Sequence, residues 1–364
     1  MRITFVLGRA NMRGGVLVVA IYAEALQAMG HRVSVVSTRR PLPTLRSNLR
    51  RVATGRLPSF KRPPMPRSHL EGRGLDWTIL QHPGPVTDAH VPDADVVIAT
   101  WWETAEWVAG LSPSKGRPVY FCQHFETHDP AQAERVLGTY RLPMRQVCVS
   151  QWVADQIRAA TGRGGQVIVP NAVDHDRFAR GPRKKNPTPR FGFMYSDSPF
   201  KAVGVAIEAL ERVRASRPEI EAVCFSTRPP RPSVPLPPWI ECEIDPPQAR
   251  IAEIYASCDA WLMSSRVEGF GLPLLEAMAS RTPVISTPAG AAPELLAEGG
   301  GALVPVDDPA AMADAVDMIA GSDPIAWRRL SDQAAEIAGA NTWAAAAERF
   351  EAALADAAAE GAGR

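Results

Sequence analysis

Two α/β domains in tandem, each built on a doubly wound and mostly parallel sheet of the Rossmann-like kind, are what this sequence predicts. Three observations lead there. The chain has 364 residues, beyond the size at which a single core keeps growing. Short β-rich apolar runs alternate with helical segments, the pattern of a parallel sheet covered on both faces. The alternation stops once, over GPRKKNPTPR (Gly181 to Arg190), which has the polar, proline-rich composition of a linker, and then restarts. Residues 1–180 are therefore the expected first domain and 187–342 the second; the last helix, about 343–364, is expected to pack back onto the first.

The first domain opens with ITFVLG (Ile3 to Gly8), a continuous apolar strand. The loop RANMRGG follows, then a helix from about Val16 to Met29 closed by Gly30. Further strands fit HRVSVVST (His31 to Thr38), WTILQ (Trp77 to Gln81), DVVIAT (Asp95 to Thr100), PVYFCQH (Pro118 to His124), QVCVS (Gln146 to Ser150) and QVIVPN (Gln166 to Asn171). After the break come strand FGFMY (Phe191 to Tyr195), helix Val203 to Ala215, strand AVCFS (Ala222 to Ser226) and a proline-rich loop around Arg228 to Pro238. A helix near Arg250 to Ser257, strands AWLMS (Ala260 to Ser264) and PVIST (Pro283 to Thr287), and two alanine-rich helices complete the chain. Open sheets of this kind bind ligands outside the carboxyl ends of their strands. With two such domains, the cleft between them is the expected site.

Composition narrows the class. Net charge is +1, with 46% hydrophobic and 22% charged residues, so nothing global argues for nucleic acid. The five cysteines form no CxxC pair and read as reduced thiols of a cytoplasmic protein. MRITFVLG reads as a buried strand, its apolar run being too short for a signal peptide. No apolar run approaches the roughly 18 residues needed to span a bilayer. One segment stands apart: from Arg39 to Arg73 ten lysines and arginines face a single acid, Glu71, with prolines between them. It is expected to hold little regular structure. Two readings stand, a solvated loop, or contact with an anionic acceptor or anionic lipid headgroups on the inner face of a membrane.

The chemistry concentrates in EGFGLPLLEAM (Glu268 to Met278). Pro273 suits a first helical position, which puts Glu268 in the preceding loop and Glu276 in the first turn. The amides of Gly269, Phe270, Gly271 and Leu272 are then free at a helix N-terminus, and glycines let a ligand come close. Such an end attracts phosphate. Carboxylates are poor neighbours for phosphate and suit hydroxyls instead, so the combination describes a nucleotide sugar. A first-turn glutamate alone would serve the helix dipole equally well.

The longer stretch SSRVEGFGLPLLEAMASRTPVISTPAGAAPELL resembles the donor-site signature of the retaining glycosyltransferases of family 4, which have the GT-B fold. GG at Gly14 and Gly15, GHRVSVVS, and VPNAVDHDRF (Val169 to Phe178, with Ala172 where the family has glycine) agree with it. The resemblance implies that Glu276 holds the donor ribose and that Glu268 bonds hydroxyls of the transferred sugar. Gly269 to Leu272 would present amides to sugar and diphosphate, and Lys201 matches the family's phosphate-binding lysine. It implies further that Gly14 and Gly15 let the first helix approach the diphosphate, and that His124 touches the donor sugar near the reacting carbon. For each residue the plain alternatives are a surface lysine, a tight turn and a strand-end histidine. Asn171 reads as structural, bonding backbone at the domain junction, and nothing fixes the direction of His128 or Asp129. Trp101 and Trp102, in TWWETAEW, are expected on the acceptor side, helix packing being the alternative. With YFCQHFE (Tyr120 to Glu126) they resemble the bacterial polysaccharide transferases of the family, some of which use rhamnose.

One departure matters. The family carries an arginine shortly before the lysine, and MYSDSPFK (Met194 to Lys201) has none. Either Ser196, Ser198, Arg228 or Arg266 substitutes, or turnover is slow, or the donor sits differently; CFSTRPPRP (Cys224 to Pro232) also lacks a usual glycine pair. No cofactor and no protein metal is expected, the nucleoside-diphosphate sugar being substrate. The DAD of Asp93 to Asp95 reads as a turn into a strand. The function expected is metal-independent transfer of a hexose, with retention, to a hydroxyl on a glycan, lipid-linked or small-molecule acceptor. A GT-B nucleotide-sugar epimerase and a non-catalytic nucleotide-sugar-binding subunit are the alternatives.

Overall fold

The structure of the protein, a computed structural model, describes residues 1–62, 64 and 67–362. Residues 63, 65 and 66 of the basic stretch 39–73, and residues 363 and 364 of the expected last helix, lie outside the described residues. The chain forms two compact units. The first takes in Met1–Cys148, Ile157–Val167 and the stretch from Ala347 onward; the second takes in Val149–Gln156 and Ile168–Ala346.

The first unit's sheet contains β1 (Arg2–Arg9), β2 (Arg32–Thr38), β3 (Asp76–Ile79), β4 (Val96–Ala99), β5 (Arg117–Cys122), β6 (Arg145–Cys148) and β7 (Val167–Ile168). Their order is β3-β2-β1-β4-β5-β6-β7, and β1 pairs in parallel with both β2 and β4. The central strands are apolar along their length because both faces are covered: Ile3, Phe5 and Val6 are wholly buried. Helix Trp343–Ala362 contributes to that cover, its buried Phe350 stacking on Phe5 and packing against Tyr22 and Phe121.

The second unit's sheet contains β8 (Arg190–Met194), β9 (Glu221–Ser226), β10 (Ile240–Ile244), β11 (Ala260–Met263), β12 (Val284–Ser286) and β13 (Gly301–Leu303), in the order β10-β9-β8-β11-β12-β13. Phe191, Phe193, Leu210, Val316, Ile319 and Trp327 belong to its core. Both sheets are thus parallel Rossmann-like α/β layers. Each reverses its strand order once, between β1 and β4 and between β8 and β11. Those reversals leave crevices outside the carboxyl ends of the strands, where α/β sheets take ligands.

Four expectations need correction. β10 and β13 were missing from the expected strands; IECEI carries two glutamates and GAL has three residues, as suits edge strands. Three helices, not two, close the chain: Pro309–Gly321, Pro324–Gly339 and Trp343–Ala362. The first two start on Asp308 and Asp323, whose carboxylates accept from the second and third amides beyond them, each followed by proline. The basic segment holds a helix, Leu45–Ala53, capped by Thr44 Oγ1 accepting from the Ser47 amide at 3.2 Å. Finally, 181–190 has a linker's composition but is bonded down within the second unit. Lys185 Nζ donates to the Ala320 and Ser322 carbonyls at 2.6 and 2.7 Å, and the Asn186 amide donates to buried Asp259 at 2.9 Å. Among the described residues no helix is long and apolar enough to cross a membrane.

Candidate active site

At the crevice of the second unit, β8 leads through Tyr195 to Ser198 into a short turn, Pro199–Lys201. Ala202, with φ 46°, turns the chain into helix Val203–Ser216. β11 leads through Ser264 to Gly271 into helix Leu272–Ala279. Gly271 caps that helix in the left-handed region, φ 91°, which a residue with a Cβ rarely adopts. Its turn starts the helix at Leu272. Pro273 is consequently the second helical residue, not the first, and Glu276 lies just past the first turn, not in it.

The two loops meet through charge. Lys201 Nζ donates to Glu268 Oε1 at 2.6 Å, and Ser265 Oγ donates to the same oxygen at 2.7 Å. Glu268 is 7% exposed, so the lysine answers a carboxylate with little water around it. Ser264 Oγ bonds the Lys201 carbonyl, and the Arg266 amide bonds that of Phe200, fixing one loop to the other. The carbonyls between the glutamate and the helix are all taken: Gly269 by Ser150 Oγ at 2.6 Å, Phe270 by the Ala291 amide at 2.9 Å, Gly271 by the Leu274 amide at 2.9 Å. Among the described residues the amides of Gly269, Phe270 and Gly271 donate to nothing. A buried loop with its acceptors satisfied and its donors open is built to receive an anion or a polar ligand.

Glu276 stands apart from the ion pair. Its Oε2 accepts from the hydroxyl of buried Tyr255 at 2.9 Å. Burial pushes its carboxyl up to about 7, an effect that the Tyr255 hydrogen bond and nearby Arg177 partly offset. Of the arginines weighed as a second phosphate cation, Arg266 is committed to Asp307 at 2.8 Å and to the Pro199 carbonyl. Arg228 is exposed, with no ion pair among the described residues. Ser196 Oγ accepts from the Ser198 amide at 3.2 Å.

The first unit gathers a different set. Gly14 and Gly15 open helix Gly14–Ala28, where no side chain caps the N-terminus. A Cβ on Gly15 would sit 3.4 Å from Gln123 Oε1, a buried oxygen without a partner among the described residues. His124 lies two residues beyond β5, not at its end, because β5 stops at Cys122. Its Nδ1 is 3.0 Å from the Phe125 carbonyl, its ring meets His128 edge-to-face, and its carbonyl accepts from Tyr140 at 3.0 Å. Trp101 lies against Gly8 and precedes helix Trp102–Ala109. Trp102 is 7% exposed, with the Arg135 guanidinium stacked over its ring at 4.8 Å. Its amide donates to Glu126 Oε2 at 3.1 Å. Burial pushes the Glu126 carboxyl up to about 8 against that hydrogen bond, and Glu103 adds to the rise.

The structure therefore pairs Lys201 with Glu268, gives Glu276 its own partner, and holds Gly14, Gly15, His124, Trp101 and Trp102 in the first unit. Asn171 is 4% exposed, and its Oδ1 bonds nothing among the described residues, unlike the backbone tether expected of it. Asp93 and Asp95 are tied to Lys115 and Arg2 just before β4. Among the described residues no cluster of three or more histidines, cysteines and acids could hold a metal. Sequence reasoning passed over Gly290 and Tyr255. Gly290 has φ 62°, and a Cβ there would lie 2.6 Å from the Phe270 carbonyl and 2.9 Å from Glu268 Cβ. The PAG after strand β12 was its visible signal.

Fold and site together define a chain of two Rossmann-like α/β units, the class to which dinucleotide and nucleotide binders belong. Comparison makes this particular: residues 12–177 match the model of Glycosyltransferase Family 4, and residues 188–321 that of Glycosyl transferases group 1. The two matches together take in most of the chain, which belongs to the family 4 glycosyltransferases of GT-B fold. The D-inositol 3-phosphate glycosyltransferase of Corynebacterium diphtheriae is 38% identical over 117 residues, 32% of this chain and 27% of that protein. The MMP alpha-(1->4)-mannosyltransferase of Mycolicibacterium hassiacum is 29% identical over 140 residues, 36% of this chain and 34% of that protein. The chain thus spans about a quarter to a third of the length of these curated relatives. Among solved structures, Anabaena HepE in complex with UDP and glucose superposes with a TM-score of 0.72 at 16% identity, over 98% of this chain and 99% of that one. WaaG, a glycosyltransferase involved in lipopolysaccharide biosynthesis, does so with a TM-score of 0.67 at 15% identity, over 96% and 98%. At these identities the likeness speaks for the fold.

Proposed function

We propose that the chain moves a hexose from a nucleoside-diphosphate sugar to a hydroxyl of a glycan, lipid-linked or small-molecule acceptor, with retention and without a metal ion. The observation that carries this reading is the loop Gly269 to Gly271, its carbonyls bonded and its amides open, next to the Lys201–Glu268 pair. Breaking the bond from sugar to diphosphate builds negative charge on the leaving group and positive charge on the sugar. The ammonium of Lys201 has three donors and spends one on Glu268. Its others, with the open amides, would meet the diphosphate as charge develops and lower the barrier. Glu268, held by Lys201 and Ser265, would accept from sugar hydroxyls, and Glu276 from the ribose. His124, Gly14 and Gly15 keep the roles the family resemblance gives them, and so does retention. HepE binding UDP and glucose, and relatives named as inositol-phosphate and mannosyl transferases, support donor and acceptor classes of this kind.

Melting the protein with a panel of nucleoside diphosphates and their sugars tests the donor site. A true ligand at 100 times its dissociation constant stabilises by about 2.7 kcal/mol, and Glu276→Ala should abolish that shift. Absence of any shift across the panel overturns the reading. Turnover then separates the classes: transfer lost in Glu268→Ala and Lys201→Ala supports the enzyme, whereas an isomerised donor without acceptor means an epimerase. Tight binding with no product against any acceptor means a binding subunit.

A further inference from the structure

Six large apolar side chains stand exposed within one stretch of the first unit: Leu42, Leu45, Leu49, Val52, Leu57 and Phe60. Helix Leu45–Ala53 carries three of them at spacings of four and three, so Leu45, Leu49 and Val52 share one face. That face is 78%, 63% and 57% exposed. A surface helix of a globular protein turns such a stripe inward. This one is inverted: its only buried residue is Asn48.

The inversion is held in place by polar bonds. Asn48 Nδ2 donates to the Ser59 carbonyl at 3.1 Å, and the Ser59 amide donates to Asn48 Oδ1 at 2.9 Å. Arg51 Nε adds a bond to the Leu57 carbonyl at 2.8 Å. These bonds lay residues 57–59 beside the helix while Leu57 and Phe60 remain 83% and 80% exposed. The apolar side chains are therefore presented outward by a fixed framework.

Charge identifies what they meet. Arg40, Arg46, Arg50 and Arg56 are exposed, and none of them makes an ion pair among the described residues. Arg46 and Arg50 flank the leucine stripe along the same helix. Unpaired arginines beside leucines suit an anionic bilayer surface, where apolar side chains enter the acyl boundary and arginines snorkel to phosphates. The helix is about 14 Å long, too short to span a bilayer and suited to lying in its plane. We propose that the segment from Leu42 to Lys61 is a membrane-docking element that seats the first unit on an anionic lipid surface. The inference stands on this segment alone and needs no transfer reaction.

Co-sedimentation of the full chain with vesicles tests it. Vesicles of equal parts phosphatidylcholine and phosphatidylglycerol should bind the protein at least about tenfold better than pure phosphatidylcholine. Leu45→Asp/Leu49→Asp and Arg46→Gln/Arg50→Gln should each lower the partition coefficient about tenfold or more. All four positions are exposed, so melting temperature and any nucleotide shift should stay at the wild-type values, which separates this test from that of the donor site. No binding to anionic vesicles overturns the proposal, and so does equal binding to neutral ones. Binding that survives the double aspartate variant overturns it as well. A dimer in solution that the aspartates disperse, without vesicle binding, would give the face to a second copy of this chain instead.

Discussion

Past the ends of β8 and β11 the loops close on an ion pair, Lys201 with Glu268, and on a run of open amides. Past the ends of β1, β4 and β5 they close on aromatic rings, an uncapped glycine pair and Glu126, a carboxyl that burial keeps from ionising easily. The two crevices occupy the same topological position in similar sheets. The fold thus supplies a place for chemistry twice, and the loops decide its nature. One crevice carries a cation bonded to a shielded carboxylate, suited to developing negative charge. The other carries apolar surface with a proton held on a carboxyl.

The largest effect should come from breaking the pair. Lys201→Ala leaves Glu268 with Ser265 alone, and removing one partner of a buried ion pair costs about 3 kcal/mol. In turnover the loss should be about 10²–10³. Lys201→Met/Glu268→Gln removes both charges, so urea unfolding should recover most of the stability while activity stays lost. If the double variant recovers both, the pair serves the fold only.

Next comes Gly290→Ala. The added Cβ would meet the Phe270 carbonyl at 2.6 Å, a backbone atom that cannot swing aside, from a φ of 62°. About 2 kcal/mol of destabilisation is expected, together with weaker nucleotide shifts because Phe270 and Glu268 must move. An intact shift would show that the donor loop tolerates displacement.

The second unit's crevice was the more legible in sequence because its signals are backbone signals. Gly269, Gly271 and Pro273 announce a tight turn into a helix, and a glutamate on either side marks the ends. What stayed hidden was partnership across distance: nothing local ties Lys201 to Glu268, 67 residues apart, or Tyr255 to Glu276. The exact helix start was also hidden, since Gly271 turning left-handed shifts Pro273 by one position. In the first unit the strands were legible from continuous apolar runs, but Glu126 looked like any acid after a strand. Its burial depends on Trp102 and Tyr140, which only the fold brings near. The helix Leu45–Ala53 escaped notice because its apolar residues face outward and prolines surround it.

Protons offer a smaller and signed test. Glu276 has a folded value of about 7 against an ordinary 4.5, so between those values the folded chain binds more protons than the unfolded one. Stability from this group therefore falls as pH rises from about 4.5 to about 7 and is level above. Glu126 acts in the same direction up to about 8. The shifts correspond at most to about 3 kcal/mol for Glu276 and about 5 kcal/mol for Glu126, and each glutamine variant should remove its own part of the slope in urea titrations. Only Glu276→Gln should change nucleotide affinity. In the wild type that affinity should climb as pH passes 7, when the carboxylate that accepts hydroxyls forms. A change caused by Glu126→Gln would mean that Glu126 joins His124, Gly14 and Gly15 in holding the donor.

The smallest effect separates a turn from a binding element. Gly15→Ala places a methyl 3.4 Å from Gln123 Oε1, an ordinary contact, inside the first turn of a helix. Alanine restricts the unfolded chain and favours the helix, so stability should rise by about 0.5 kcal/mol. If Gly15 has a part in binding the diphosphate, the same methyl stands between the ligand and the helix amides. Melting with and without nucleoside diphosphate should then show opposite changes: a higher melting temperature for the free protein and a smaller shift on adding ligand. A higher melting temperature with an undiminished shift would make Gly14 and Gly15 a plain turn. Diphosphate recognition would then rest on Lys201 and the amides of Gly269 to Gly271, and the contrast between the two crevices would be complete.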